Sequence, residues 1–328
     1  MTGDVYSALV IGCGRIGAFW DKPGDTHMLT HAHAYHMNAK VTSLGFVDHD
    51  PLLANRAAEL WGGKAYPDLA TALAEARPNV ASVCTPDDAH YSVLNRLLDS
   101  DIRLILAEKP LTRHSGEAEK VVQRSREKGI IINVNYSRRF DATVSEVRTA
   151  LQGGEYGKVL NVVGTYTKGI LHNGSHLIDL LRHLLGEVLD SKVLAKRSGY
   201  GVHDSTLDCW LRMQDCPSVH LVGLIEECYS VYEVDIFCEL GRLRFTRFGL
   251  YLESQTVVLD PVFPGYRELS TPEIKPTKLS SAMARFLDDG LTALLEGREP
   301  LCPAGDAAKT LQVCQDLLEK SKIGDGNG

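Results

Sequence analysis

The chain has 328 residues, 44% hydrophobic and 23% charged, with a formal net charge of -7. That composition is ordinary for a globular protein, and the length suffices for two domains with their own cores. The acidic balance disfavours a general nucleic-acid surface, which needs clustered Lys and Arg, while an anionic substrate stays open because local charge outweighs the net value. The absence of any apolar run of roughly eighteen residues excludes a membrane span.

Strands alternate with helices through the first 135 residues. The apolar run Ala8-Leu9-Val10-Ile11 predicts a buried strand, and Val41 to Asp48 a second. Asp50-Pro51 supplies an N-cap and first-turn proline for a helix through Leu60. Asp68–Arg77 predicts a helix, Val80–Cys84 a strand, Asp88–Leu98 a helix, Arg103–Ala107 a strand and Gly116–Lys128 a helix, with Ile130–Asn135 as the last strand. This βαβ alternation implies an α/β fold with a doubly wound parallel sheet of Rossmann type. From about residue 150 the pattern changes. A strand over Lys158–Tyr166 and a helix over Ser175–Leu185 precede strands at Thr206–Met213, Ser218–Ile225, Val231–Leu240, Arg242–Thr246 and Leu250–Leu259. Strands in near succession predict a large, open, mostly antiparallel sheet. Helices over Ala282–Leu295 and Gly305–Lys320 close the chain, and the tail Gly324 to Gly328 reads as disordered. The expected domains are residues 1–140, binding a dinucleotide, and 141–328, binding substrate and oligomerising.

Gly12-Cys13-Gly14-Arg15-Ile16-Gly17 follows the first strand. In that context Gly12 allows the tight turn, Gly14 a close approach of phosphate and Gly17 close helix–strand packing. A following helix would offer free N–H groups to a pyrophosphate, beside Arg15 and Ile16. Asp48, ending the second strand, would accept hydrogen bonds from the adenosine ribose. The interval exceeds the usual one of about twenty residues, and the excess is assigned to an insertion around Trp20–Asp25. His49 and Asp50, not arginine, follow Asp48, so NAD is expected over NADP. Thr85 and Pro86 after the fourth strand, and His90 one turn on, would lie beside the cofactor, although His90 also fits a helix surface. His31, His33 and His36 read as a solvated segment beside the insertion.

Glu108-Lys109-Pro110 ends the Leu104–Ala107 run, where an open α/β sheet binds its ligands. Lys109 there can hydrogen-bond a substrate hydroxyl and stabilise a developing alkoxide. On the apolar helix after His172-Asn173-Gly174-Ser175, the residues His176, Asp179 and His183 form a polar stripe at spacings of three and four. His176 titrates in the range of a general base, with Asp179 orienting it or holding a hydroxyl, and His183 structural. No metal is expected, although His172, His176 and Asp179 are a conceivable set. The eight cysteines show no C-x-x-C spacing and read as reduced; Cys84, Cys209, Cys238 and Cys314 sit in apolar runs. Met1 to Tyr6 carries no signal-peptide core, so a cytoplasmic location is the expectation.

The ordered set Gly12–Gly17, Thr85-Pro86, Glu108-Lys109-Pro110, Arg138-Arg139-Phe140, His176–Asp179, Leu184–Glu187 and Gly305–Ala308 resembles the Gfo/Idh/MocA oxidoreductase family. The resemblance implies a nicotinamide-dependent enzyme acting at a secondary carbon of a sugar, inositol or sugar nucleotide. It places the family's catalytic lysine on Lys109, its second-domain histidine on His176 and an acidic residue on Asp179. Many members carry an aspartate where this chain has His172, which leaves His172 as a proton-transfer or anion-binding candidate. Tyr136, Arg139, Lys168 and Asn173 are candidate substrate contacts, Lys168 and Arg139 suiting an anionic group. The apolar faces of Ser218–Ile225 and the family's habit point to a homo-oligomer, dimer or tetramer, through the second sheet. Rival readings are a glycoside-cleaving enzyme that recycles its hydride and a non-catalytic sensor of NAD and sugar.

Overall fold

The computed structural model describes residues 5–201 and 204–323; the tail read as disordered, and residues 1–4 of the N-terminal stretch, lie outside the described residues. The chain divides into two compact units. The stretch to Phe140 groups with Ser280–Lys309, and Asp141–Leu279 groups with the segment from Thr310 onward.

The first unit is built on β1 (Tyr6–Ile11), α1 (His31–Met37), β2 (Val41–Val47), α2 (Pro51–Trp61), β3 (Lys64–Tyr66), α3 (Leu69–Ala76), β4 (Val80–Val83), α4 (Asp87–Leu98), β5 (Leu104–Ala107), α5 (Ser115–Lys128) and β6 (Ile131–Val134). Local chemistry sets the helix starts. The side chains of Thr30, Asp50 and Asp68 accept from the backbone N–H of His33, Leu52 and Thr71. The six strands pair in the order β3-β2-β1-β4-β5-β6, all parallel. β4 and β5 are buried along their whole length, as a sheet covered on both faces requires. The strand order reverses between β1 and β4, the position where such sheets bind ligands beyond their carboxyl ends.

The second unit holds α6 (Ala142–Gln152), β7 (Val159–Tyr166), α7 (Ser175–Leu185), β8 (Val188–Arg197), β9 (Thr206–Met213), β10 (Cys216–Gly223), β11 (Tyr232–Cys238), β12 (Gly241–Thr246), β13 (Tyr251–Leu259), β14 (Arg267–Leu269) and β15 (Glu273–Pro276). They form a nine-stranded sheet in which β7 and β10 run parallel and the other pairs antiparallel. The inner row of this sheet, including Val162, Cys209, Leu221 and Ile236, forms one core with the apolar residues of α7. In β10 and β11 buried residues alternate with half-buried ones. The outer row carries charge: Arg242 pairs with Asp235, Arg244 with Glu233 and Arg197 with Asp208. Among the described residues no helix is long and apolar enough to cross a membrane.

The chain then returns to the first unit. In α8 (Ala282–Glu296) Gly290 packs so tightly that a Cβ would stand 2.9 Å from the Leu106 side chain. Val134 N–H donates to Cys302 O at 2.9 Å, covering the open edge of β6. The closing helix α9 (Ala304–Ile323) begins in the first unit and ends in the second.

Candidate active site

Gly12 follows β1 at a φ of +91°, and a Cβ there would meet the Cys84 carbonyl carbon at 2.6 Å. A Cβ on Gly17 would lie 2.1 Å from Gly12 O, while one on Gly14 would meet nothing within 4 Å. Gly12 and Gly17 are therefore demanded by packing, and Gly14 keeps open the space a phosphate group would need. The segment after the glycines departs from expectation. A five-residue π turn, Arg15–Phe19, replaces a full helix, and α1 begins only at His31. Asp48 holds the turn from the neighbouring strand: Cys13 N–H donates to Oδ2 at 2.6 Å, and Asp50 N–H to Oδ1 at 2.9 Å. His49 Nδ1 also stands 2.9 Å from Oδ1, so Oδ2 is the oxygen that retains a lone pair for a further donor. Burial pushes the Cys13 thiol up to about 12 and the Cys84 thiol well above its ordinary value, so neither is a ready nucleophile.

Thr85, Glu108 and Asn135 lie at the carboxyl ends of β4, β5 and β6. Thr85 Oγ1 and Asn135 Oδ1 are buried with no hydrogen-bond partner among the described residues. Native interiors rarely leave such atoms unmatched, and a polar group of a dinucleotide would satisfy them. His90 is fully buried, not a helix-surface residue: its ring nitrogens face Pro110 O at 2.8 Å and Thr85 O at 2.9 Å. It ties the loop after β4 to the turn that carries Lys109. Glu108 Oε1 receives Asn135 Nδ2 at 2.7 Å and His31 Nε2 at 3.0 Å. Burial pushes the Glu108 carboxyl up, but the hydrogen bond and charge of His31, the Asn135 amide and the Lys109 charge outweigh it, holding the group below its ordinary range.

The His31, His33 and His36 segment corrects the sequence reading. His31 and His33 are 1% and 3% exposed, and only His36 reaches solvent. His33 Nδ1 meets Asp21 Oδ2 at 2.8 Å, and the same carboxylate accepts from Leu29 N, Thr30 N and Thr30 Oγ1. The insertion is thus closed on a buried carboxylate that seats the start of α1. Sequence reasoning missed Asp21, Ser82, Tyr35 and Asn135 because their partners are remote in the chain.

In the second unit every residue of α7 except His176 is buried. Tyr232 OH donates to His176 O at 3.3 Å. Asp179, 1% exposed, accepts from Thr310 Oγ1 at 3.2 Å. Arg182, one turn on, donates to Thr310 Oγ1 at 2.6 Å and makes two bonds to Glu187. His183 is buried. The turn before α7, Gly169–Gly174, is held by Asp204, whose oxygens accept from Leu171 N and His172 N at 2.8 and 2.9 Å. The His172 ring stacks on Tyr200 at 4.5 Å, and Lys168 Nζ pairs with Glu226 at 3.1 Å. Asn173 is half-buried on this turn. In the first unit Tyr136 is buried, and Arg139, 2% exposed, is committed to Asp306 Oδ2 at 2.8 Å and Leu301 O at 3.2 Å.

Comparison with known proteins fits this geometry. Residues 6–136 match the Gfo/Idh/MocA family, described as an oxidoreductase family with an NAD-binding Rossmann fold. An inositol 2-dehydrogenase of Renibacterium salmoninarum is 30% identical over 194 residues, 56% of this chain and 55% of that protein. The chain therefore matches little more than half the length of this curated relative. Over the whole chain, the fold is shared with a levoglucosan dehydrogenase solved with NADH and levoglucosan, at a TM-score of 0.81, 15% identity and 98% coverage of each chain. It is shared too with the WlbA dehydrogenase of Bordetella pertussis, solved with NADH and UDP-GlcNAcA, at a TM-score of 0.77, 17% identity and coverage of 99% of this chain and 97% of that one. The stretch that carries the glycine turn and the six-stranded parallel sheet is thus the part of the chain that matches the Gfo/Idh/MocA oxidoreductase family.

Proposed function

We propose that this protein is an NAD(H)-dependent oxidoreductase that transfers a hydride to or from a secondary carbon of a sugar, inositol or sugar nucleotide. One observation carries the reading. The open space at Gly14, the unmatched Thr85 Oγ1 and Asn135 Oδ1, and the Glu108–Lys109 pair all lie at the carboxyl edge of one parallel sheet. NAD fits this edge: the Gly12–Gly17 turn would hold its pyrophosphate and Asp48 its adenosine ribose, with Arg15, Ile16, Thr85, Pro86, His90 and Glu108 lining or supporting the cradle. Asp48 and Asp50 favour NAD over NADP, because a 2′-phosphate would meet their charge. When bound, the cofactor supplies the hydride acceptor or donor.

The remaining chemistry falls to side chains. Lys109 hydrogen-bonds the reacting oxygen and stabilises its charge. His176 takes the hydroxyl proton as general base, and returns it in the reverse direction. Asp179 acts from behind, as part of the buried Thr310–Arg182 network. His172, Lys168 and Asn173, at the turn before α7, are the substrate-contact candidates of the second unit, and Tyr136 and Arg139, both buried, are those of the first. Self-association through the second unit's sheet is part of the proposal; a monomer by light scattering at micromolar concentration would exclude it.

The decisive experiment incubates the protein with NAD and a panel of sugars, inositols, uronates and nucleotide sugars, following NADH absorbance and product mass. NADH formed with an oxidised product supports the reading. NADH binding without turnover on any substrate, in either direction, would sink it.

A further inference from the structure

We propose that His31 is a positioning residue for the Glu108–Lys109 pair: the buried chain Tyr35–Ser82–His31 delivers one fixed hydrogen bond to Glu108 and so sets which carboxylate oxygen is left to a ligand. The inference deepens the cofactor-site reading of the carboxyl edge and rests on it for the ligand's identity.

His31 is 1% exposed and lies on α1, at a sequence distance of 77 from Glu108. It cannot touch a ligand, so any effect passes through Glu108. Its Nδ1 stands 2.8 Å from Ser82 Oγ, which stands 2.8 Å from Tyr35 OH. An ionised carboxylate has no hydrogen to give, so the hydrogen between His31 Nε2 and Glu108 Oε1 belongs to His31. One arrangement then uses every hydrogen once: Tyr35 donates to Ser82, Ser82 to His31, and His31 to Glu108. The chain ends on Tyr35 of α1, itself 1% exposed, packed on β4 where Ser82 is fully buried. It leads to no solvent and is not a proton exit. Its effect is orientation and the hydrogen bond delivered to the carboxylate.

At the receiving end, both hydrogen bonds to Glu108, from His31 and Asn135, fall on Oε1. Among the described residues Oε2 takes none, and the Glu108 side chain is 14% exposed. Oε1 is saturated, and the spare acceptor capacity points in one direction, toward a hydroxyl or amide donor of the ligand. The titratable groups facing Glu108 are His31 from α1, Cys84 at the end of β4 and Lys109 beside it. Of these His31 alone reaches it through a hydrogen bond from another element.

Two readouts separate this proposal from the cofactor reading. Infrared titration of the free protein, with E108Q assigning the Glu108 carboxylate band, reads the ionisation of Glu108 without any ligand. His31→Ala is expected to move its midpoint upward, and His31→Gln, which keeps an amide donor, to return it toward wild type. Calorimetry with NADH is expected to show about tenfold weaker binding for His31→Ala and partial rescue by His31→Gln. If His31→Ala fails to fold, Ser82→Ala, which removes the donor to Nδ1 and the acceptor of Tyr35 OH but leaves the His31–Glu108 hydrogen bond, is expected to shift the midpoint in the same direction by less. A folded variant with an unmoved midpoint overturns the proposal, whatever its NADH affinity. Absence of NADH binding by the wild-type protein overturns the cofactor reading alone, and the infrared midpoint still decides the role of His31.

Discussion

In the parallel sheet, β4 and β5 are buried on both faces, so their polar chemistry collects where the strands stop, at Thr85, Glu108 and Lys109. The one hydroxyl inside β4, Ser82, is matched on both sides by His31 and Tyr35. In the mixed sheet, β10 and β11 bury alternate residues, and charged pairs such as Arg242 with Asp235 are spread over the half-buried row. A sheet covered on both faces has no lateral place for an ionic group, whereas a half-covered one can carry many at little gain each. Charge at a strand end and charge on a strand face are therefore different signals, the first of chemistry and the second of solvation.

Mutations sharpen that contrast. The largest effect is expected at the strand end. Lys109→Ala should lower kcat by about a hundredfold or more on whichever substrate the panel yields, with unchanged circular dichroism; full turnover would break the contrast. Asp21→Ala leaves His33 and the Thr30 donors without their shared carboxylate, and should cost about 3 kcal/mol in denaturant unfolding. Gly14→Ala should leave thermal unfolding near wild type and weaken NADH binding about tenfold, because the added methyl fills space without touching the protein.

Acid provides a further test. Glu108 is held below its ordinary value of 4.5, so its stabilising contribution is complete above that pH and is lost as pH falls through and below it. The stability difference between wild type and Glu108→Gln, read by urea unfolding, should therefore shrink in acid. A difference that grows would reverse the assignment. The smallest effect is expected on the outer face, where Arg242→Ala should cost about 0.5 kcal/mol or less and leave NADH binding intact.

Much of this fold was legible because its signals are local. Apolar runs mark β1, β4 and β5, the glycine spacing marks the turn after β1, and the run Ser175–Leu185 matches α7 residue for residue. β8 escaped because it is an edge strand, mostly exposed and broken by two register shifts, so it shows no clean alternation. The site was legible at the motif residues and illegible in their support. Spacing within His31, His33 and His36 reveals nothing about Glu108 or Asp21, which reach them only through the fold. Arg139 likewise carries a charge that reads as ligand-facing, while its partner Asp306 lies 167 positions away.

The return of Ser280–Lys309 to the first unit bears on how the chain is made. A ribosome that has released only the first 140 residues has produced all six strands but not the cover that α8 lays over Leu104 and Leu106, nor the bond from Cys302 that closes the edge of β6. The nascent cofactor domain must wait, with an apolar face and an open strand edge, until the second unit's sheet has been synthesised. An expression fragment cut at residue 140 would inherit that unfinished state permanently, and aggregation through the β6 edge is its natural fate.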